Sequence, residues 1–138
     1  LHKEYRRQRQ MCIRDSIKIN FPELLFIASL CAFLGHVFPI WLMFKGGKGV
    51  ACFFGGFLII SPIPTLISMA VWMVTVKITK ISSLGALLSI FLLTSYQIVS
   101  NYGTLNKGTI FAIMLLIFWK HNENIKRLIQ GKENKINL

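Results

Sequence analysis

Between Lys80 and Lys107 the chain reads ISSLGALLSIFLLTSYQIVSNYGTLN, residues 81–106, without a charged side chain. Just before it, residues 49–76 read GVACFFGGFLIISPIPTLISMAVWMVTV, equally uncharged. A bilayer span takes roughly 20 mainly apolar residues, and charge at its centre is costly. Two such runs side by side therefore predict membrane helices. The whole chain agrees: 138 residues, 54% hydrophobic, 15% charged, mean hydropathy +0.57. Soluble domains carry about a quarter charged residues.

Working outward, Leu24–Phe44 forms a further uncharged stretch of 21 residues, about 31 Å as helix. Pro39 near its end predicts a kink. Val50–Ile60 is short for a full crossing by roughly 10 Å, which suits a tilted, extended or partly re-entrant helix. Pro62 and Pro64 predict a turn, since each lacks an amide donor. Thr65–Ile78 and Ser82–Val99 then read as helices. Asn101-Tyr102-Gly103 reads as a turn, and Gly108–Trp119 as the last apolar run, or one that starts earlier with Lys107 snorkelling to the headgroups. The fold class is all-α: a polytopic membrane helical bundle with about five hydrophobic segments. Gly55-Gly56 suits close helix packing. The polar segment Asn124–Gln130 fits an amphipathic interfacial helix.

The formal charge of +11 sits mainly at the two ends. A soluble nucleic-acid binder is excluded by the apolar middle; membrane topology explains the charge better. Four runs separate the loop at 45–49 from His121, so both lie on one side. Leaving out residues 1–22, placing that side in the cytoplasm gathers Lys45, Lys48, Lys77, Lys80, Lys120, Lys126, Arg127, Lys132 and Lys135 inside, against Lys107 outside. Anionic lipid headgroups are a second partner for the basic ends. The first 16 residues, LHKEYRRQRQMCIRDS, fit neither pattern and read as a foreign, adapter-derived segment without order. Cys12, Cys31 and Cys52 show no CxxC or Cys/His metal spacing; no metal site and no disulfide framework is expected.

Two motifs carry chemistry. The first is Gly35-His36-Val37-Phe38-Pro39, followed by Lys45-Gly46-Gly47-Lys48-Gly49. Three glycines in four positions allow close backbone approach and positive φ. Successive amides ahead of a helix N-terminus make an anion nest, and two lysines add full charge. The loop is not a Walker A loop, because Val50 stands where Ser or Thr would hold magnesium. It reads either as a phosphate site or as a flexible basic turn. The second motif, HNENIKRLIQGKENK at 121–135, places His121 and Asn124 on one helical face just past a membrane helix. Alone, His121 reads either as an interfacial residue or as a proton acceptor.

Together, GHVFPIWLMFKGGKGVA at 35–51 and HNENIKRLIQGKENK at 121–135 resemble the glycine-loop and C-terminal motifs of the bacterial membrane glycerol-3-phosphate acyltransferases that use acyl phosphate, the PlsY family. The intervening VWMVTVKITKISSLGALLSI is similar to that family as well. The resemblance covers about residues 20–136. Nothing here matches the family's earlier SGNxGATN motif, so residues 17–138 correspond to the C-terminal part of such a domain, an N-terminally truncated fragment. Lys120 stands where the family commonly has arginine.

The resemblance implies acyl transfer from acyl phosphate to the sn-1 hydroxyl of glycerol 3-phosphate, giving lysophosphatidic acid. It implies a multi-pass protein of the bacterial plasma membrane, with its active-site loops in the cytoplasm. No cofactor and no obligate protein partner is implied. Lys45, Gly46, Gly47, Lys48 and Gly49 would bind the phosphate, and His121 and Asn124 would be the active-site pair. His121 would accept the hydroxyl proton or orient a phosphate. Glu133 would be structural, pairing with a cation, and His36 would pack or hydrogen-bond at a helix end. The rival reading is a small non-enzymatic membrane protein, a transporter or channel fragment. Such proteins line a path with ionisable groups, whereas here the charges sit at helix ends.

Overall fold

The computed structural model describes residues 22–39, 46–100 and 104–136. It is all-helical among the described residues, in the order α1 (Pro22–Val37), α2 (Val50–Ile60), α3 (Pro62–Thr79), α4 (Ser82–Val99), α5 (Thr104–Lys120) and α6 (Asn122–Ile129). The expected segments are present, with boundaries corrected by local chemistry. The first helix does not run through a kink at Pro39 but stops at Val37, because proline disfavours helix in the residue before it. The turn expected at Pro62 and Pro64 falls instead on Ser61. Both prolines lie in the first turn of α3, where a missing amide donor costs nothing. The last apolar helix takes the earlier of the two starts, beginning at Thr104 and including Lys107. The adapter-like residues 1–16 and the turn at 101–103 lie outside the described residues.

α3 and α4 are both long and apolar enough to cross a membrane. α2 is the 11-residue helix expected, about 16 Å long and short of the ~30 Å hydrocarbon core. The burial pattern of α3 is inverted relative to a soluble helix. Thr65 and Ser68 are buried, while Ile63 is 70% and Ile67 is 61% exposed. Lipid accepts the large apolar side chains, and small polar ones let helices approach. Ser68 Oγ donates to the Ser89 carbonyl across the α3–α4 contact. A side chain at Gly85 would meet Trp72 Cδ1 at 2.9 Å.

The core lies between α1, α2, α4 and α5. Phe26 and Phe33 meet Phe53 and Phe57, with Ile90, Leu93, Ile110 and Ile113 behind them. The Phe26 and Phe57 rings stand edge to face, 6.3 Å apart. Gly56 serves the close packing expected of it, since a Cβ there would meet Ser29 Oγ at 2.8 Å. Gly55 does not: nothing lies within 4 Å of its missing side chain.

The even count of crossings puts the glycine loop and the start of α6 at one end of the bundle. Three long-range bonds meet there. Lys48 reaches Asn124, Ser83 reaches Glu133, and the Ile136 amide donates to the Lys80 carbonyl at 2.7 Å.

Candidate active site

The glycine loop is held by α1. Gly49 takes φ +78°, a left-handed conformation that glycine adopts without a Cβ penalty. The buried Phe33 ring lies where its side chain would be, 2.0 Å from an ideal Cβ. Gly46 is wedged against the His36 and Val37 carbonyls and the Pro39 ring. The nearest neighbour of Gly47 is the exposed His36 ring, whose Nε2 lies 2.6 Å from an ideal Cβ. His36 therefore lies at the helix end, over the loop. Lys45 lies outside the described residues. At the far end of α5, Lys120 Nζ stands 4.8 Å from the Phe38 ring centroid, a cation–π contact tying α5 to the residue that follows α1.

Lys48 leaves the loop and donates from Nζ to Asn124 Oδ1 at 2.6 Å. Asn124 Nδ2 donates to Glu133 Oε1 at 2.6 Å. Ser83 Oγ donates to the same oxygen at 2.7 Å, and Arg127 Nε donates to Glu133 Oε2 at 2.8 Å. These donors hold the Glu133 carboxyl down at about 2, with the Asn124 and Ser83 bonds the leading causes after which Arg127 contributes. Glu133 pairs with Arg127 and is also the hub of a polar cluster. α6 is thus more than an amphipathic surface helix: its Asn124 is buried in the site.

His121 caps the start of α6 and is only 2% exposed. Its Nδ1 lies 2.8 Å from the Ile117 carbonyl, which can only accept. Nδ1 therefore carries the proton, and the neutral ring leaves the Nε2 lone pair available. Burial lowers the His121 pKa below its usual 6.5, helped by the Lys48 charge. The Ile117 bond and the Glu133 charge oppose that shift without reversing it.

Lys48, His121, Asn124 and Glu133 border one cavity of about 670 Å³. Its polar lining is this cluster with Ser83; its apolar wall includes Phe54, Gly55, Leu58, Met69 and Trp72. A water-soluble anion and an apolar chain can meet in such a space. Sequence reasoning found the polar residues through their motifs. It missed Ser83, which reads as an ordinary helix start, and the apolar wall, whose residues look like any membrane helix. The free face of Gly55 was the one available signal, hidden by the packing role of its neighbour.

A family model described as "Glycerol-3-phosphate acyltransferase" matches residues 10–131. The chain is 47% identical over 121 residues to a glycerol-3-phosphate acyltransferase of Pelagibacter ubique (strain HTCC1062), covering 86% of this chain and 61% of the relative. It is 44% identical over 110 residues to that of Sinorhizobium fredii (strain NBRC 101917 / NGR234), covering 79% and 53% respectively. The fold superposes on the crystal structure of PlsY (YgiH), an integral membrane glycerol 3-phosphate acyltransferase, in its glycerol 3-phosphate form. The TM-score is 0.82 at 29% identity, over 90% of this chain and 63% of that one. The lysophosphatidic acid form of that enzyme gives 0.81, also at 29% identity, over 90% and 64%. The chain thus spans 53% to 61% of the length of these two sequence relatives.

Proposed function

This chain belongs to the glycerol-3-phosphate acyltransferase family, and from that footing we propose that the whole protein moves an acyl chain from acyl phosphate to the sn-1 hydroxyl of glycerol 3-phosphate. The observation that carries the reading is the shared cavity. One end presents Lys48 and a histidine with a free lone pair, and the other presents an apolar wall.

In this reading the loop amides at Gly46, Gly47 and Gly49, with Lys48 and Lys45, hold the substrate phosphate. The acyl chain lies along Gly55, Leu58 and Met69. The hydroxyl oxygen attacks the acyl carbonyl carbon, the carbon–oxygen bond to phosphate breaks, and inorganic phosphate leaves. His121 Nε2 accepts the hydroxyl proton. Its lowered pKa keeps it neutral and able to do so. Two anions repel as they meet, so the lysine charges lower the barrier as well as bind. Asn124 and Glu133 organise this end, and His36 backs the loop.

The site end is placed in the cytoplasm of a bacterial inner membrane. In support, Lys48, Lys80 and the basic residues of 120–135 gather at that end. Anionic lipid headgroups fit the same rim.

The test is direct. The whole protein in detergent, given an acyl phosphate and labelled glycerol 3-phosphate, should form labelled lysophosphatidic acid and release phosphate. His121→Ala should stay folded and form none; turnover near wild type would remove His121 from the chemistry. Ion flux in liposomes without acyl transfer would favour the non-enzymatic rival.

A further inference from the structure

Asn124 has two chemically different ends, and its neighbours decide which way each points. The Glu133 carboxylate only accepts, so it faces the amide nitrogen. The Lys48 ammonium only donates, so it faces the amide oxygen. Both contacts are 2.6 Å. One oxygen and one N–H of Asn124 are therefore committed inside the protein, and the ammonium is the group it presents to the cavity.

Glu133 fixes that amide, and the question becomes what fixes Glu133. It lies on the tail that follows α6, beyond Gly131 with φ +67°. Two of its three side-chain donors, Asn124 and Arg127, belong to α6 itself. Those two bonds alone would let α6 and its tail move as one unit. The third donor, Ser83, is on a different element: it is buried in the first turn of α4. Its bond to Glu133 Oε1 anchors that unit to the α3–α4 hairpin, beside the main-chain bond from Ile136 to Lys80.

We propose that Ser83 is a positioning residue for Lys48: through the Glu133 carboxylate and the Asn124 amide it sets where the ammonium stands over the cavity. The consequence for substrate affinity rests on the acyl-transfer reading, but the relay itself does not.

The experiment therefore uses no substrate. The chain in detergent is exposed to a dilute amine-modifying reagent, and modification of Lys48 is followed by mass spectrometry, with the exposed Lys77 as internal reference. Ser83→Ala should raise the Lys48 rate relative to Lys77 by about twofold to tenfold, as for loss of one net hydrogen bond. In an Asn124→Leu background, where Lys48 has already lost its acceptor, Ser83→Ala should change nothing further. An unchanged Lys48 rate in Ser83→Ala, or the same increase in both backgrounds, overturns the relay. Should Ser83→Ala lose its helical circular dichroism, Ser83→Cys, closer in size to serine, is read by the same two criteria. A failed acyl-transfer assay leaves this result standing, and a failed relay leaves that assay untouched.

Discussion

Replacing each loop glycine by alanine should separate two jobs that one short motif performs. At Gly49 the new Cβ enters a left-handed backbone with φ +78° and would lie 2.0 Å from the Phe33 ring. The backbone conformation costs about 1–2 kcal/mol for a residue with a side chain. Phe33 is a buried core ring, so displacing it adds about 1–3 kcal/mol of overpacking. The sum for Gly49→Ala is about 2–5 kcal/mol of stability. At Gly46 the obstacles are two carbonyl oxygens at 2.4 Å, which move only with the end of α1. At Gly47 the single close atom is the tip of the exposed His36 side chain, which can swing aside. Gly47→Ala should therefore stay within about 0.5 kcal/mol of wild type, as for other exposed sites. Reversible unfolding in mixed micelles, followed by helical circular dichroism, measures all three. A Gly47→Ala loss equal to that of Gly49→Ala, or an undisturbed Gly49→Ala, would refute the view that α1 grips the loop at its ends and leaves the centre free for a ligand.

Three further outcomes follow from the site. His121 should titrate below 6.5, because burial disfavours its charged form; stability from this group is intact above pH 6.5 and declines as pH falls below it. An imidazole NMR titration with a midpoint at or above 6.5 contradicts that. Glu133, held at about 2 instead of 4.5, contributes stability above pH 4.5 that disappears as pH falls through about 2. Glu133→Gln should lose about 2–3 kcal/mol near neutral pH, as for charge-assisted hydrogen bonds, and a gap to wild type that stays constant between pH 4.5 and 2 refutes this. Gly55→Leu should slow transfer of long acyl chains more than short ones, because the new side chain fills the apolar wall; equal slowing for both lengths would remove Gly55 from the acyl path.

The amino-acid order alone determined the membrane helices, since lipid demands long uncharged runs and the gaps between Lys48, Lys77, Lys80 and Lys107 leave little choice. It also determined that the glycine loop and His121 share one side, because parity follows from counting crossings. The motif residues were legible for the same reason: Gly46, Gly47, Lys48, Gly49, His121 and Asn124 lie in short, local, polar stretches. What escaped were relations between distant positions. Ser83 and Glu133 are 50 residues apart and Lys48 and Asn124 are 76 apart. Packing alone brings them within hydrogen-bonding distance, and that packing also buries the His121 ring and so lowers its pKa. Local patterning is written in neighbouring residues; the orientation of an amide, the pairing of a carboxylate and the dryness of a ring depend on which helices meet, and those were decided by the tertiary structure.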